Sequence, residues 1–146
     1  MKLTLDLHVH SDASFDGRMS VRQIALLAKA RGIDGVAICD HDVVYTGPTE
    51  VEGVLIIPGA EFSTEYGHLL GLFLTAPIQY TTWKETVQAI HDQGGITVLA
   101  HPYQNKRSGS LEPFRPILDD IDAVETWNSR ANRKYPHAND NAFILA

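Results

Sequence analysis

Five short apolar runs in this chain of 146 residues each run into an imidazole or a carboxylate. LTLDLHVH (3–10) closes on His8 and His10, GVAICDHD (35–42) on His41 between Asp40 and Asp42, and VLIIPGAE (54–61) on Glu61. Further along, ITVLAH (96–101) closes on His101, and DAVETWN (122–128) carries Glu125. Apolar runs of this length, separated by helical stretches, read as strands of an α/β sheet. In parallel sheets and barrels the carboxyl ends of the strands form one rim, where active sites are built. A random scatter of histidines and acids would not land repeatedly at that one end. The pattern therefore selects folds that gather these groups on a shared lip.

The spacing supports strands over 2–9, 35–39, 54–62, 68–74, 96–101 and 122–128, with 54–62 and 68–74 pairing locally across a glycine-containing turn. Leu3, Leu5, Leu7 and Val9 share one face of the first strand, and Thr4, Asp6, His8 and His10 the other. A helix over 21–31 has Ser20 as N-cap, Gln23 at the capping-box position, Met19 stapling onto Ile24, and Gly32 to end it. A second capped helix starts at Thr82, with Glu85 at its box position, and stops at Gly94–Gly95. LEPFRPILDD reads as a short or broken helix, and the chain is helical from about Ala138. This alternation predicts a single α/β domain with a mostly parallel sheet and helices on its outside.

Composition narrows the function. A net charge of −6 and a pI near 5.5 argue against a nucleic-acid backbone or an anionic membrane as the main partner, although cations bound in a site would offset that charge locally. Cys39 is the one cysteine, so no internal disulfide can form, and a reducing cytoplasm fits. No apolar run approaches the roughly 20 residues that span a bilayer.

Imidazole with carboxylate, and no thiolate cluster, suits zinc, manganese or iron in a catalytic rather than a structural site. A carboxylate such as Glu61 can bridge two cations. Asp6, one inward position below His8, is placed to orient a ligand imidazole. Glu125 fits either ligand or hydrogen-bond acceptor. Asp40 and Asp42 point to the opposite side of the pleat from His41, so only part of that triplet reaches one site. His91 sits on the polar side of its helix, Cys39 reads as core, and Trp83 and Trp127 as packing.

With these residues on the page, the chain resembles the polymerase-and-histidinol-phosphatase (PHP) superfamily of metal-dependent phosphoesterases. LHVHSDASFDG, GVAICDHD, IIPGAEFST, GHLLGLF, GGITVLAHP and VETWNSR carry the resemblance in order. It implies a distorted (β/α)7 barrel with two or three zinc, manganese or iron ions at its rim. By that resemblance His8 and His10 hold a first ion with Glu61 bridging, His68 and His101 complete a second with Glu61, and Asp16 and His41 hold a third. His68 and Asp16 gain roles from the family alone. The family closes on an Asp-x-His motif, whereas this chain stops at NAFILA. The expectation is a PHP domain over 1–146, truncated before its last strands, with an incomplete barrel prone to self-association and a second ion held best.

The expected activity is hydrolysis of a small phosphate ester, a phosphomonoester or nucleotide, by a metal-activated water. His8, His10, Glu61 and His101 form the catalytic centre, and Arg107 or Arg130 anchors phosphate, with Lys106 and Arg133 nearby. Nucleic acid enters only as a short oligonucleotide substrate. Two rivals remain. One is a non-catalytic metal-binding or interaction module. The other is an amidohydrolase-type metal hydrolase, which tends to need a bridging lysine that no strand end here supplies.

Overall fold

The computed structural model describes residues 2–79, 82–104 and 113–146. Among the described residues, seven strands form one sheet: β1 (Leu5–Val9), β2 (Gly35–Ile38), β3 (Glu50–Val51), β4 (Val54–Thr64), β5 (Gly67–Leu72), β6 (Ile96–Leu99) and β7 (Ala123–Val124). Their order is β1-β2-β4-β5-β6-β7, with β3 pairing beside β4. The helices are α1 (Val21–Ala30), α2 (Trp83–His91), α3 (Ser129–Lys134) and α4 (Ala138–Leu145), with a 3-10 turn over Arg115–Asp120.

The sheet is mixed, which corrects the expectation of mostly parallel strands. β1–β2, β2–β4 and β6–β7 are parallel, whereas β3–β4, β4–β5 and β5–β6 are antiparallel. The cause lies in the connections. Only Glu65 and Tyr66 separate β4 from β5, and a parallel crossover needs a dozen residues or more. Gly67, at φ +121°, takes a backbone conformation that side chains resist, which lets the chain reverse into β5. The outcome is a curled half-barrel.

Two layers of apolar side chains hold this curl. Ser20 and Gln23 make a complete capping box at the start of α1. That helix lays Ile24, Ala25 and Ala28 on Val36, Ile38, Val54 and Ile56. Ala37 and Cys39 alternate to the other face of β2 and pack with Ile57, Leu70 and Leu72 inside the curl. Buried on both faces, β2 has no polar position except where it ends. Across β5 and β6, Trp83 and Ile90 of α2 join Phe62, Leu69, Leu99 and Phe114 in the larger core.

Two sequence expectations shift at this level, the extent of the last strand and the packing of Trp127. Residues 122–128 give only a two-residue strand, and the short helix α3, capped by Asn128 accepting from the Ala131 amide, follows it. Trp83 is buried as expected, but Trp127 is 72% exposed. Leu5 and Leu7 of edge strand β1 stay exposed and face a trough of about 550 Å³ towards Leu70, Val98 and Val124. Among the described residues, no helix is long and apolar enough to cross a membrane.

Candidate metal centre

The strand ends converge on one buried carboxylate. Glu61, 1% exposed, sits where β4 runs beside the end of β2: its amide donates to the Asp40 carbonyl and its carbonyl accepts from the Asp42 amide. This ladder sets Glu61 beside His41. Five imidazoles then surround its carboxylate. His101 Nε2 lies 2.8 Å and His68 Nδ1 2.9 Å from Oε1, with His8 Nε2 at 3.5 Å. His10 Nε2 and His41 Nδ1 each lie 3.3 Å from Oε2.

Each imidazole has its own local cause. His8 and His10 end β1, and their Nε2 atoms meet 3.1 Å apart. His101 follows β6 with φ at +26°, an unusual backbone for a histidine. Its amide donates to Glu125 Oε2 at 2.8 Å, which fixes that turn. His68 comes from the amino end of β5, opposite Ser63 in the hairpin.

Asp16 reaches the cluster from the β1–α1 loop. Its carboxylate lies 3.4 Å from His10 Nδ1 and 3.5 Å from His41 Nε2. Ser14 Oγ donates to one of its oxygens at 3.0 Å, and Arg130 donates to the other at 3.0 Å. The loop is pinned by Asp40, which accepts from the amide and hydroxyl of Ser11, each at 2.6 Å. Gly17 closes it: a Cβ there would fall 1.8 Å from the Ser11 carbonyl oxygen, so only glycine fits.

Behind the imidazoles stands Glu125, which by sequence alone fits either ligand or acceptor. Its Oε1 lies 3.1 Å from His8 Nδ1 and accepts from Asn128 at 3.1 Å. It is an acceptor for His8, the part assigned to Asp6. Asp6 instead is exposed and accepts from the His8 backbone amide. An irregularity in the β1–β2 register between Asp6 and Val9 breaks the period of two that would have aimed both inward.

The electrostatics follow from this crowding. Burial alone would raise the Glu61 carboxyl, but the surrounding imidazoles of His10, His101, His68 and His8 outweigh it and hold it far below the usual carboxylate range. Burial likewise opposes protonation of His8, yet bonding to Glu125 and Glu61 prevails and raises its imidazole to about 10. Cys39 lies beneath the site with its thiol pushed up, first by burial and then by Glu61 and Asp40, so it is no thiolate ligand.

Protons alone serve this arrangement poorly. His68 Nδ1 is buried without a hydrogen-bond partner despite its closeness to Glu61. One carboxylate cannot accept well from five rings at once. Divalent cations taking N and O donors fit the set. Among the described residues, two groups have donor atoms close enough for one ion each: His8–Glu61–His101 and His10–His41–Glu61. Glu61 is common to both; the first joins His8 to His101 and the second His10 to His41, a different division from the His8–His10, His68–His101 and Asp16–His41 sets that the resemblance implies. Asp16 borders the second group, and His68 flanks the shared carboxylate. His91 and His137 lie outside the cluster, paired with Asp122 and Asp140.

Arg130 lies at the mouth of the cleft. Lys134, one helical turn further along α3, lines the same opening and had no sequence signal beyond its charge. Arg133 is exposed on that helix, and Arg107 and Lys106 lie outside the described residues.

A converging His/Asp/Glu cluster at the rim of a curled α/β sheet defines a class of metal-ion centre. The PHP domain family model matches residues 6–106 of the chain, and the chain belongs to this family. An uncharacterised protein of Methanocaldococcus jannaschii is 34% identical, over 85% of this chain and 81% of its own length. A protein of Acetivibrio thermocellus named "Probable phosphatase" is 26% identical, over 99% of this chain and 68% of its own. Among solved structures, a two-domain Bacteroides vulgatus protein assigned a PHP-like metal-dependent phosphoesterase unit superposes with a TM-score of 0.66 at 20% identity. That match covers 85% of this chain and 44% of the Bacteroides chain.

Proposed function

We propose that this chain is the ion-holding unit of a metal-dependent phosphoesterase acting on a small phosphate ester. The observation that carries the reading is the buried carboxylate of Glu61, encircled by His8, His10, His41, His68 and His101 at 2.8–3.5 Å. These residues, with Asp16, would hold two or three zinc, manganese or iron ions. When bound, such ions make water acidic enough to be a nucleophile near pH 7 and neutralise charge on phosphoryl oxygens.

The protein supplies the rest. Glu61, shielded from water, keeps its negative charge and offers one oxygen to each donor group. Glu125 accepts a hydrogen bond from His8 Nδ1–H, which leaves Nε2 facing inward as the atom that would hold a cation. Asp16 is held between Ser14 and Arg130, so its two oxygens are already oriented. Arg130 has donors to spare beyond its bond to Asp16, and with Lys134 it offers positive charge where a phosphate would enter. The "Probable phosphatase" relative supports the same reaction class.

The test is metal analysis of the purified chain, followed by phosphate release from a panel of phosphomonoesters and diesters in manganese or zinc. Glu61→Gln should lower both ion content and turnover by at least about 100-fold, because both donor groups lose their shared oxygen. A metal-loaded protein inactive on the whole panel would overturn this reading in favour of a non-catalytic ion-binding module.

A further inference from the structure

The cleft leading out from the donor cluster has an aromatic wall. Phe15 is 87% exposed, yet its ring is stacked on His41, with centroids 4.7 Å apart and planes 18° from parallel. Single exposed apolar side chains are ordinary on protein surfaces. This one differs in how firmly it is placed. Its neighbour Ser14 bonds to Asp16, contacts His10 and accepts from the His41 amide, and Gly17 leaves the turn no slack. One face of the ring is thus covered by a side chain of the cluster, and the other looks into solvent.

A hollow of about 270 Å³ lies beside it, bounded by Phe15, His41, His68, Gln104, Arg130 and Lys134. It therefore offers a fixed flat apolar surface, two cations on α3 opposite, and the donor cluster at its foot. Aliphatic phosphates would use only the last two of these. A planar ring joined to a phosphate through a short polar linker would use all three.

We propose that Phe15 is a stacking platform for the base of a nucleoside phosphate, and so sets the substrate class of the centre. The proposal rests on the phosphoesterase reading above. Arg130 and Lys134 take the phosphate while the base lies on Phe15. Because every base has a π-face, the platform discriminates weakly among bases and strongly against substrates that lack one.

The experiment compares adenosine 5′-monophosphate, cytidine 5′-monophosphate and glycerol phosphate with the manganese-loaded protein. The ratio of kcat/KM for either nucleotide over glycerol phosphate should fall roughly 5- to 100-fold in Phe15→Ala, chiefly through KM, and recover in Phe15→Trp. Saturation-transfer NMR reads the contact without turnover: the adenine protons should receive saturation from the wild-type protein and lose it in Phe15→Ala. An equal loss on all three substrates would overturn the proposal, since Phe15 would then only hold His41 in place. Absent base contact would overturn it too, even with glycerol phosphate turned over. Failure to hydrolyse any ester, with base contact intact, would strike the phosphoesterase reading and leave the platform standing.

Discussion

His8 is gripped from both sides, by Glu125 at Nδ1 and by the Glu61–His10 pair at Nε2. Its imidazole, raised from an ordinary 6.5 to about 10, gives the ion-free protein a definite pH response. A group with a raised folded-state value favours folding fully below its unfolded value. That contribution fades as pH climbs from about 6.5 to about 10. The ion-free protein in excess chelator should therefore melt progressively lower from pH 7 to pH 9.5 in a fluorescence melt. Once ions are bound they take the place of that proton, and the slope should flatten. His8, His10, His41, Glu61 and His101 could be placed from the sequence because strand ends and the period of two are local rules. Asp6 could not, since the irregularity in β1 is set by pairing with β2. Glu125 was ambiguous because its distance from His8, 117 positions along the chain, closes only through the curl of the sheet.

At the level of elements, β5 explains what the strand-end rule overlooked. A rim rule built on carboxyl ends looks for ligands after strands, but β5 runs antiparallel to both neighbours, so its amino end and His68 lie at the rim. Only the family resemblance supplied that residue. Likewise Asp16 belongs to a loop whose shape comes from Asp40, on another strand, rather than from its own spacing. The helix α3 has no signature in the sequence because six residues hold too little periodicity. The β1–α1 loop carries its own prediction. Gly17→Ala would drive a Cβ against the Ser11 carbonyl and should cost about 1–3 kcal/mol in urea unfolding. It should also weaken ion binding, because Ser14 and Asp16 move with the turn. An alanine variant as stable as the wild type would show that the loop is softer than its hydrogen bonds imply.

For the molecule as a whole, the donor cluster binds together segments that otherwise meet only through the sheet: β1, the end of β2, β4, β5 and β6. Ions that bind the folded chain alone add stability as RT ln(1 + [L]/Kd), about 2.7 kcal/mol at a hundredfold excess over Kd. Stripping them with EDTA should lower Tm by roughly 5–10 °C in calorimetry, and restoring manganese or zinc should reverse it. No change in Tm would mean that the cluster is not an ion site. The alternation of elements and the one-sided rim were legible at this scale. The mixed direction of the strands was not, because two-residue hairpin geometry decides it. The trough between β1 and β7 has a further bearing on the centre. His8 and Glu125 form part of its wall as well as belonging to the donor cluster's surroundings, so their 3.1 Å contact is the partition between the two hollows. Whatever lodges in the trough therefore presses on the carboxylate that orients His8, and occupancy at this edge of the sheet would be felt as a tilt of that ring on the far side.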